Sequence, residues 1–252
     1  MFIIWTLRRT GGTNFTQWIT KLSNLKATEH EPFNRDRLYG YVTKNFLESK
    51  NTNTAKEEIK KILKTPQVIK HCVETVPKGI SESLAEVSTE LGYKHLFLYR
   101  KNSKYRLLSL HFAKQTGIWG PNLKNKSKEK ITENIIKEPI PINNLINREK
   151  KDREILKYTF EYIQNLNNKK NVKCITFEGL YEIELQDTVK KIKEILEFLS
   201  ISLEKKEIEN HIKEMRKKGN QKTRHLYDKF PNIRNFEEEL LKLGNFEVCK
   251  RI

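Results

Sequence analysis

The chain has 252 residues, 37% hydrophobic and 32% charged, which is enough apolar content for one full core and too much for a disordered polymer. Lys and Arg total 49 against 32 Asp and Glu, a net charge of +17 that points to an anionic partner: nucleic acid, anionic lipid, or a phosphorylated or sulfated small molecule. No apolar run approaches the roughly 18 residues that a membrane-spanning helix needs, and Cys72, Cys174 and Cys249 are far apart, odd in number and without CxxC metal spacing, which suits a reducing compartment.

The elements are predicted in chain order. Phe2 to Trp5, closed by Leu7, reads as a strand buried on both faces. Phe15, Trp18, Ile19 and Leu22 recur at helical spacing, so a helix runs over about 14–25. Residues 27–34 are a polar loop holding Glu29, His30 and Glu31, with Pro32 disfavouring helix at Glu31. Helical patterning over 35–64 breaks at the polar stretch 49–53. Residues 67–73 read as a second strand, and 81–91 as a helix with Ser81 as cap and Gly92 as stop. Residues 94–99 are a third strand with Arg100 at its end, and a helix follows over about 104–116.

Residues 117–142 read as an irregular stretch containing Trp119 and a lysine-rich patch from Lys124 to Lys130. A long helix over 143–165, a strand over 172–177, and helices over 187–199, 204–217 and 235–243 complete the chain. Alternating strands and helices predict one α/β domain over 1–252: a central parallel sheet flanked by helices in three layers. Cys72 and Cys174 lie in apolar contexts and read as packing residues of a reducing compartment. A strand starting at residue 2 leaves no room for a signal peptide, so the expected location is cytoplasmic.

In a parallel sheet, ligands bind outside the carboxyl ends of the strands. Three features fall there: Arg8-Arg9-Thr10-Gly11-Gly12-Thr13-Asn14 after the first strand, Lys70-His71 near the end of the second, and Arg100 after the third. A strand turning through glycines into a helix start is an anion site, because the first helical N–H groups have no partner within the helix. It is not a Walker A loop: the glycines are adjacent and the basic residues precede them.

Arg9-Thr10-Gly11-Gly12-Thr13 resembles the phosphosulfate-binding loop of sulfotransferases, usually Lys/Arg-Ser-Gly-Thr/Ser-Thr, with Gly12 departing from the hydroxyl residue at its position. Arg100 and Ser109, about two helical turns apart, resemble the pair that holds the 3′-phosphate of the donor nucleotide. Their nine-residue spacing, followed by Gln115-Thr116-Gly117-Ile118-Trp119, is similar to the small bacterial branch that includes trehalose 2-sulfotransferase. Thr176 to Leu180 and Arg216-Lys217-Lys218-Gly219 resemble two later elements of that family, a strand end and the basic loop over the nucleotide.

The resemblance implies a P-loop-like fold and transfer of a sulfuryl group from 3′-phosphoadenosine 5′-phosphosulfate (PAPS) to a hydroxyl, leaving the 3′,5′-bisphosphate (PAP), without a metal. Arg9 and the backbone of Thr10, Gly11, Gly12, Thr13 and Asn14 would hold the 5′-phosphate side. Arg100 and Ser109 would hold the 3′-phosphate, and Arg216, Lys217, Lys218 and Gly219 would close over it. The general base is Glu31 or His71, two alternatives the residues leave open, with His30 and Trp119 near the acceptor. A carbohydrate or other small molecule, including an anionic one, is the expected acceptor, with no nucleic acid and no membrane span. The competing readings are a catalytically inactive nucleotide binder of this fold and a basic nucleic-acid-binding α/β protein, the latter lacking RNP, KH and zinc-finger signatures.

Overall fold

Phe2–Thr6 forms β1, and all five of its residues are buried. An unbroken apolar run has no face to give to water, so such a strand sits inside a sheet covered on both sides. The computed structural model describes residues 1–28, 30–117, 119, 134–167, 170–217 and 224–249. In it β1 is the central strand of a five-stranded sheet whose other members are β2 (Lys26–Ala27), β3 (Gln67–Cys72), β4 (Lys94–Tyr99) and β5 (Val172–Thr176). Every pairing is parallel and the order is β2-β3-β1-β4-β5. With helices on both faces this is the expected three-layer α/β fold.

The helices are α1 (Gly12–Ser23), α2 (Gly40–Ser49), α3 (Thr52–Leu63), α4 (Lys78–Glu90), α5 (Lys104–Thr116), α6 (Ile142–Asn167), α7 (Phe177–Tyr181), α8 (Leu185–Phe198), α9 (Lys205–Lys217) and α10 (Ile233–Leu241). Strand side chains alternate between faces, so β1 feeds two cores. Phe2 and Ile4 pack with Phe15 and Trp18 of α1, Val189 and Ile192 of α8, and Ile212 of α9. Ile3 and Trp5 pack with Ile59 of α3, Leu84 of α4, and Leu156 and Phe160 of α6. A smaller core joins Leu107, Leu108 and Phe112 of α5 to Ile146, Tyr227, Phe230 and Phe236. There Arg106, 1% exposed, pairs with Glu149 and with Asp152 (3.0 Å) of α6.

Some local expectations change. α4 begins at Lys78, three residues before Ser81, because Ser81 does not cap; its hydroxyl meets the His71 ring at 3.0 Å. Phe177 opens α7 instead of closing β5, because the Thr176 hydroxyl caps the turn by accepting from the Gly179 N–H (3.1 Å). Cys174 and Cys249, 75 residues apart, are not unpaired thiols but a disulfide with a Cα–Cα distance of 6.4 Å. Cys72 is free and buried, as expected. Among the described residues, no helix is long and apolar enough to cross a membrane.

The topology places the site. From β1 the chain crosses through α1 toward β2, and from the adjacent β4 it crosses through α5 and α6 toward β5, on the other side of β1. Neighbouring strands that send the chain in opposite directions leave a crevice outside their carboxyl ends. Arg9 follows one of these strands and Arg100 the other.

Candidate anion-binding site

The turn between β1 and α1 is held from inside. The Thr10 hydroxyl donates to the Leu7 carbonyl (2.7 Å) and meets the Thr6 hydroxyl, which donates to the Leu98 carbonyl (2.7 Å). Thr10 is fully buried and its hydroxyl is spent on the turn, so it holds the turn from inside and is not exposed to a ligand. Two residues take left-handed backbone, Arg9 at φ 69° and Gly11 at φ 75°. Gly11 suits this conformation, and a Cβ there would lie 3.0 Å from Tyr181 and 3.1 Å from Phe177. A Cβ on Gly12 would come to 3.2 Å from Thr6 and 3.4 Å from Lys70, so a side chain there would require these neighbours to give by a few tenths of an ångström. The first helical bond of α1 is Phe15 N–H to the Gly11 carbonyl (3.1 Å), so the N–H groups of Gly12, Thr13 and Asn14 have no partner inside the helix.

The Arg9 turn and the Arg100–Ser109 piece, about 90 residues apart in sequence, meet here. Arg9 Nε donates to Ser109 Oγ (2.8 Å) and its Nη1 to the Trp119 carbonyl (3.2 Å). Arg100 Nη1 donates to the Arg9 carbonyl (3.4 Å), and its guanidinium lies 3.5 Å over the Phe177 ring. Among the described residues neither guanidinium has an ion-pair partner. Burial disfavours both charges: it lowers the pKa of Arg9 and takes that of Arg100 down to about 10. Arg8 is ion-paired: its backbone N–H (2.7 Å) and Nε (3.4 Å) donate to Glu74, and its guanidinium sits 5.6 Å from the Trp119 ring.

Glu31 and His71 part company. Glu31, at φ 56°, points its carboxylate at Lys70 Nζ (2.9 Å) and also accepts from Asn34 (2.9 Å) and the Cys72 thiol (3.3 Å). Burial alone would raise its pKa, but the Lys70 charge and these donors hold it below the ordinary carboxylate range. Lys70, 6% exposed, also donates to the Thr13 hydroxyl (2.9 Å), so it links Glu31 to the turn. His71 does not reach this site. It is 1% exposed, edge-on to Trp5, bonded to Ser81, and held neutral by burial with a pKa of about 4. The reason is the pleat: Lys70 is in register with Ile4 and His71 with Trp5, so they leave β3 on opposite faces. His30 lies beside α1, 3.5 Å from Gln17.

The late basic segment is placed in part. Arg216 is not turned to the crevice: it donates to the Leu180 (3.1 Å) and Ile183 (2.7 Å) carbonyls and to Thr188 (2.6 Å), holding α9 to α7 and α8. Lys217 ends α9; Lys218, Gly219 and the lysine patch 124–130 lie outside the described residues. The Asn14 side chain donates to the Met215 carbonyl (2.7 Å), which ties the end of α9 to the start of α1.

Four contributors were missed in the sequence. Lys70 was in view, but nothing local tells which of Lys70 and His71 faces the turn. Phe177 and Tyr181 floor the turn, and Tyr181 donates to the Gly11 carbonyl (3.4 Å). Glu178 accepts from the N–H groups of Lys101 and Asn102, both at 3.0 Å, and so fixes the segment after Arg100. No spacing rule links Phe177 or Glu178 to residues some 75 earlier.

The assembled site gathers the start of α1, the Arg9 and Arg100 guanidiniums, the buried Lys70 ammonium and the Thr13 and Ser109 hydroxyls at the carboxyl ends of β1, β3 and β4. That set suits an oxyanion with charge at two points, such as a nucleotide phosphorylated at both ends of its ribose. One carboxylate, Glu31, is tied to this set through Lys70. Among the described residues no group of three or more His, Cys, Asp or Glu side chains could hold a metal ion. No protein-family model, no curated protein and no solved structure matches this chain.

Proposed function

We propose that the chain is a sulfotransferase that moves a sulfuryl group from PAPS to a hydroxyl of a carbohydrate or other small molecule. The observation that carries this reading is the meeting of Arg9 with Ser109 and of Arg100 with the Arg9 backbone, from segments far apart in the chain. When bound, PAPS supplies the activated sulfuryl group. Arg9 and the N–H groups of Gly12 to Asn14 take up the negative charge that develops on the departing phosphate side, where one lost donor typically costs roughly 3–4 kcal/mol. Arg9 stabilises charge and does not give up a proton. Arg100 and Ser109 hold the 3′-phosphate side, and Phe177 keeps Arg100 flat.

Glu31 accepts the proton of the acceptor hydroxyl at its carboxylate. Its low pKa keeps it ionised but weakly basic while Lys70 is paired to it. Lys70 also touches Thr13 of the turn, so an anion there competes with Glu31 for the ammonium and frees the carboxylate. A second reading is a bisphosphate binder without transfer activity, favoured by the three donors already engaging Glu31.

A thermal melt tests the first step. Adenosine 3′,5′-bisphosphate at about 100 times its Kd adds roughly 2.7 kcal/mol, or roughly 5–10 °C for a chain of this size. The shift is expected with the bisphosphate, not with ADP or a short single-stranded DNA, and is expected to vanish in Arg9→Ala and Arg100→Ala. A shift with DNA or ADP alone overturns the proposal. Binding without product formation from PAPS across a panel of sugars selects the second reading.

A further inference from the structure

The Cys174–Cys249 disulfide takes no part in the chemistry above. It joins the middle of edge strand β5 to the C-terminal segment, and both cysteines are part-exposed and line a cleft of about 670 Å³. Lys101, Lys173 and Lys191 line the same cleft with Glu194 and Glu247; Lys101 pairs with Glu247 (2.9 Å) and Lys173 with Glu194 (3.7 Å), which leaves the lining one net positive charge.

Both arms of the bond lead to Lys101, the residue after Arg100. On one arm, Cys174 stands two residues before Thr176, the cap of α7. That helix carries Glu178 to the Lys101 and Asn102 amides and Phe177 under Arg100. On the other arm, Cys249 ends a strap whose Phe246 and Val248 are buried in the sheet core. The Phe246 N–H donates to the Lys101 carbonyl (3.3 Å), and Glu247 pairs with Lys101 Nζ (2.9 Å).

We propose that this disulfide is an exchange site for small anionic thiols, and that opening it loosens the turn holding Arg100. A thiolate attacks one sulfur, the S–S bond breaks, and the other cysteine leaves as a thiolate into a cleft lined with net positive charge. A second thiolate resolves the mixed disulfide. The protein takes up two electrons as two thiols, and the small thiol is oxidised to its own disulfide.

The full chain, oxidised in air and denatured without reductant, should titrate one free thiol, Cys72, and three after reduction. Glutathione at millimolar concentration should add its mass at Cys174 or Cys249. Hydrogen exchange at the Lys101 and Asn102 amides should rise roughly tenfold on reduction, and in Cys249→Ser without any thiol. Three free thiols in the oxidised chain, or unchanged amide exchange in Cys249→Ser, overturns the proposal. The linked measurement, a three- to tenfold weaker bisphosphate affinity on reduction, rests on the nucleotide reading. If neither form binds the bisphosphate, that reading fails while amide exchange still decides the switch.

Discussion

On the α1 side of β3, Lys70 stays charged in a nearly closed pocket; on the other side, one residue later, His71 is stripped of charge. Burial opposes both cations. For Lys70 it is outweighed by the Cys72 and Glu31 groups, and the pKa ends above the ordinary lysine value. For His71 nothing comparable compensates, and the pKa falls to about 4. The comparison teaches that burial by itself does not mark a structural residue. What separates the two is the face of the sheet: one meets Thr13 at the β1–α1 turn, and the other is sealed by Trp5, Phe33 and Ser81.

The largest expected effect tests which residue accepts the proton. Glu31→Gln should lower sulfuryl transfer by about 10²–10⁴ while leaving bisphosphate binding within a few-fold. The same assay on His71→Gln should show turnover per folded molecule nearly unchanged. The reverse result would erase the contrast drawn here, making the core histidine the base.

A smaller effect sharpens the Lys70 side. Lys70→Met leaves the Glu31 carboxylate part-buried with its main charge partner gone, a loss of about 3 kcal/mol or more in denaturant unfolding at neutral pH. Burial is then opposed only by the Asn34 and Cys72 hydrogen bonds, so the pH dependence of stability near the carboxylate range should move upward. Lys70→Arg should recover part of the stability.

The smallest effect probes the His71 side through pH. The unfolded ring titrates near 6.5 and the folded one at about 4, so the unfolded state binds the proton between these values. Stability is therefore complete above pH 6.5 and lost as pH falls toward 4, by about 3 kcal/mol at 1.36 kcal/mol per pK unit. His95, held at about 3 by burial and bonded to Trp5 (3.0 Å), adds loss in the same direction. Urea unfolding at several pH values should show a shallower slope in His71→Gln; an unaltered slope would mean that His71 is not buried as a neutral ring.

The strands and most helices were legible because local pattern decides them. The run Phe2 to Trp5, the stretches 67–72 and 94–99, and the helical spacing of Phe15, Trp18 and Ile19 each announce an element without knowledge of its neighbours. β2 was not legible: two exposed residues carry no pattern and become a strand only because β3 lies beside them. α7 was misread as strand end because its decisive interaction, the Thr176 cap, competes with an apolar run that also suits a strand.

For the candidate site, the sequence by itself determined the glycine turn, the arginines beside it, and the serine two turns beyond Arg100, since adjacent glycines and basic residues at strand ends are local facts. Tertiary structure alone decided that Arg9 meets Ser109, that Lys70 and not His71 serves the turn, that Arg216 faces carbonyls, and that Cys174 meets Cys249. The physical reason is one of range. Propensity and periodicity act within a few residues, whereas strand register, sheet order and the packing of α7 bring together side chains from 75 to 100 residues apart, and no local spacing encodes that distance.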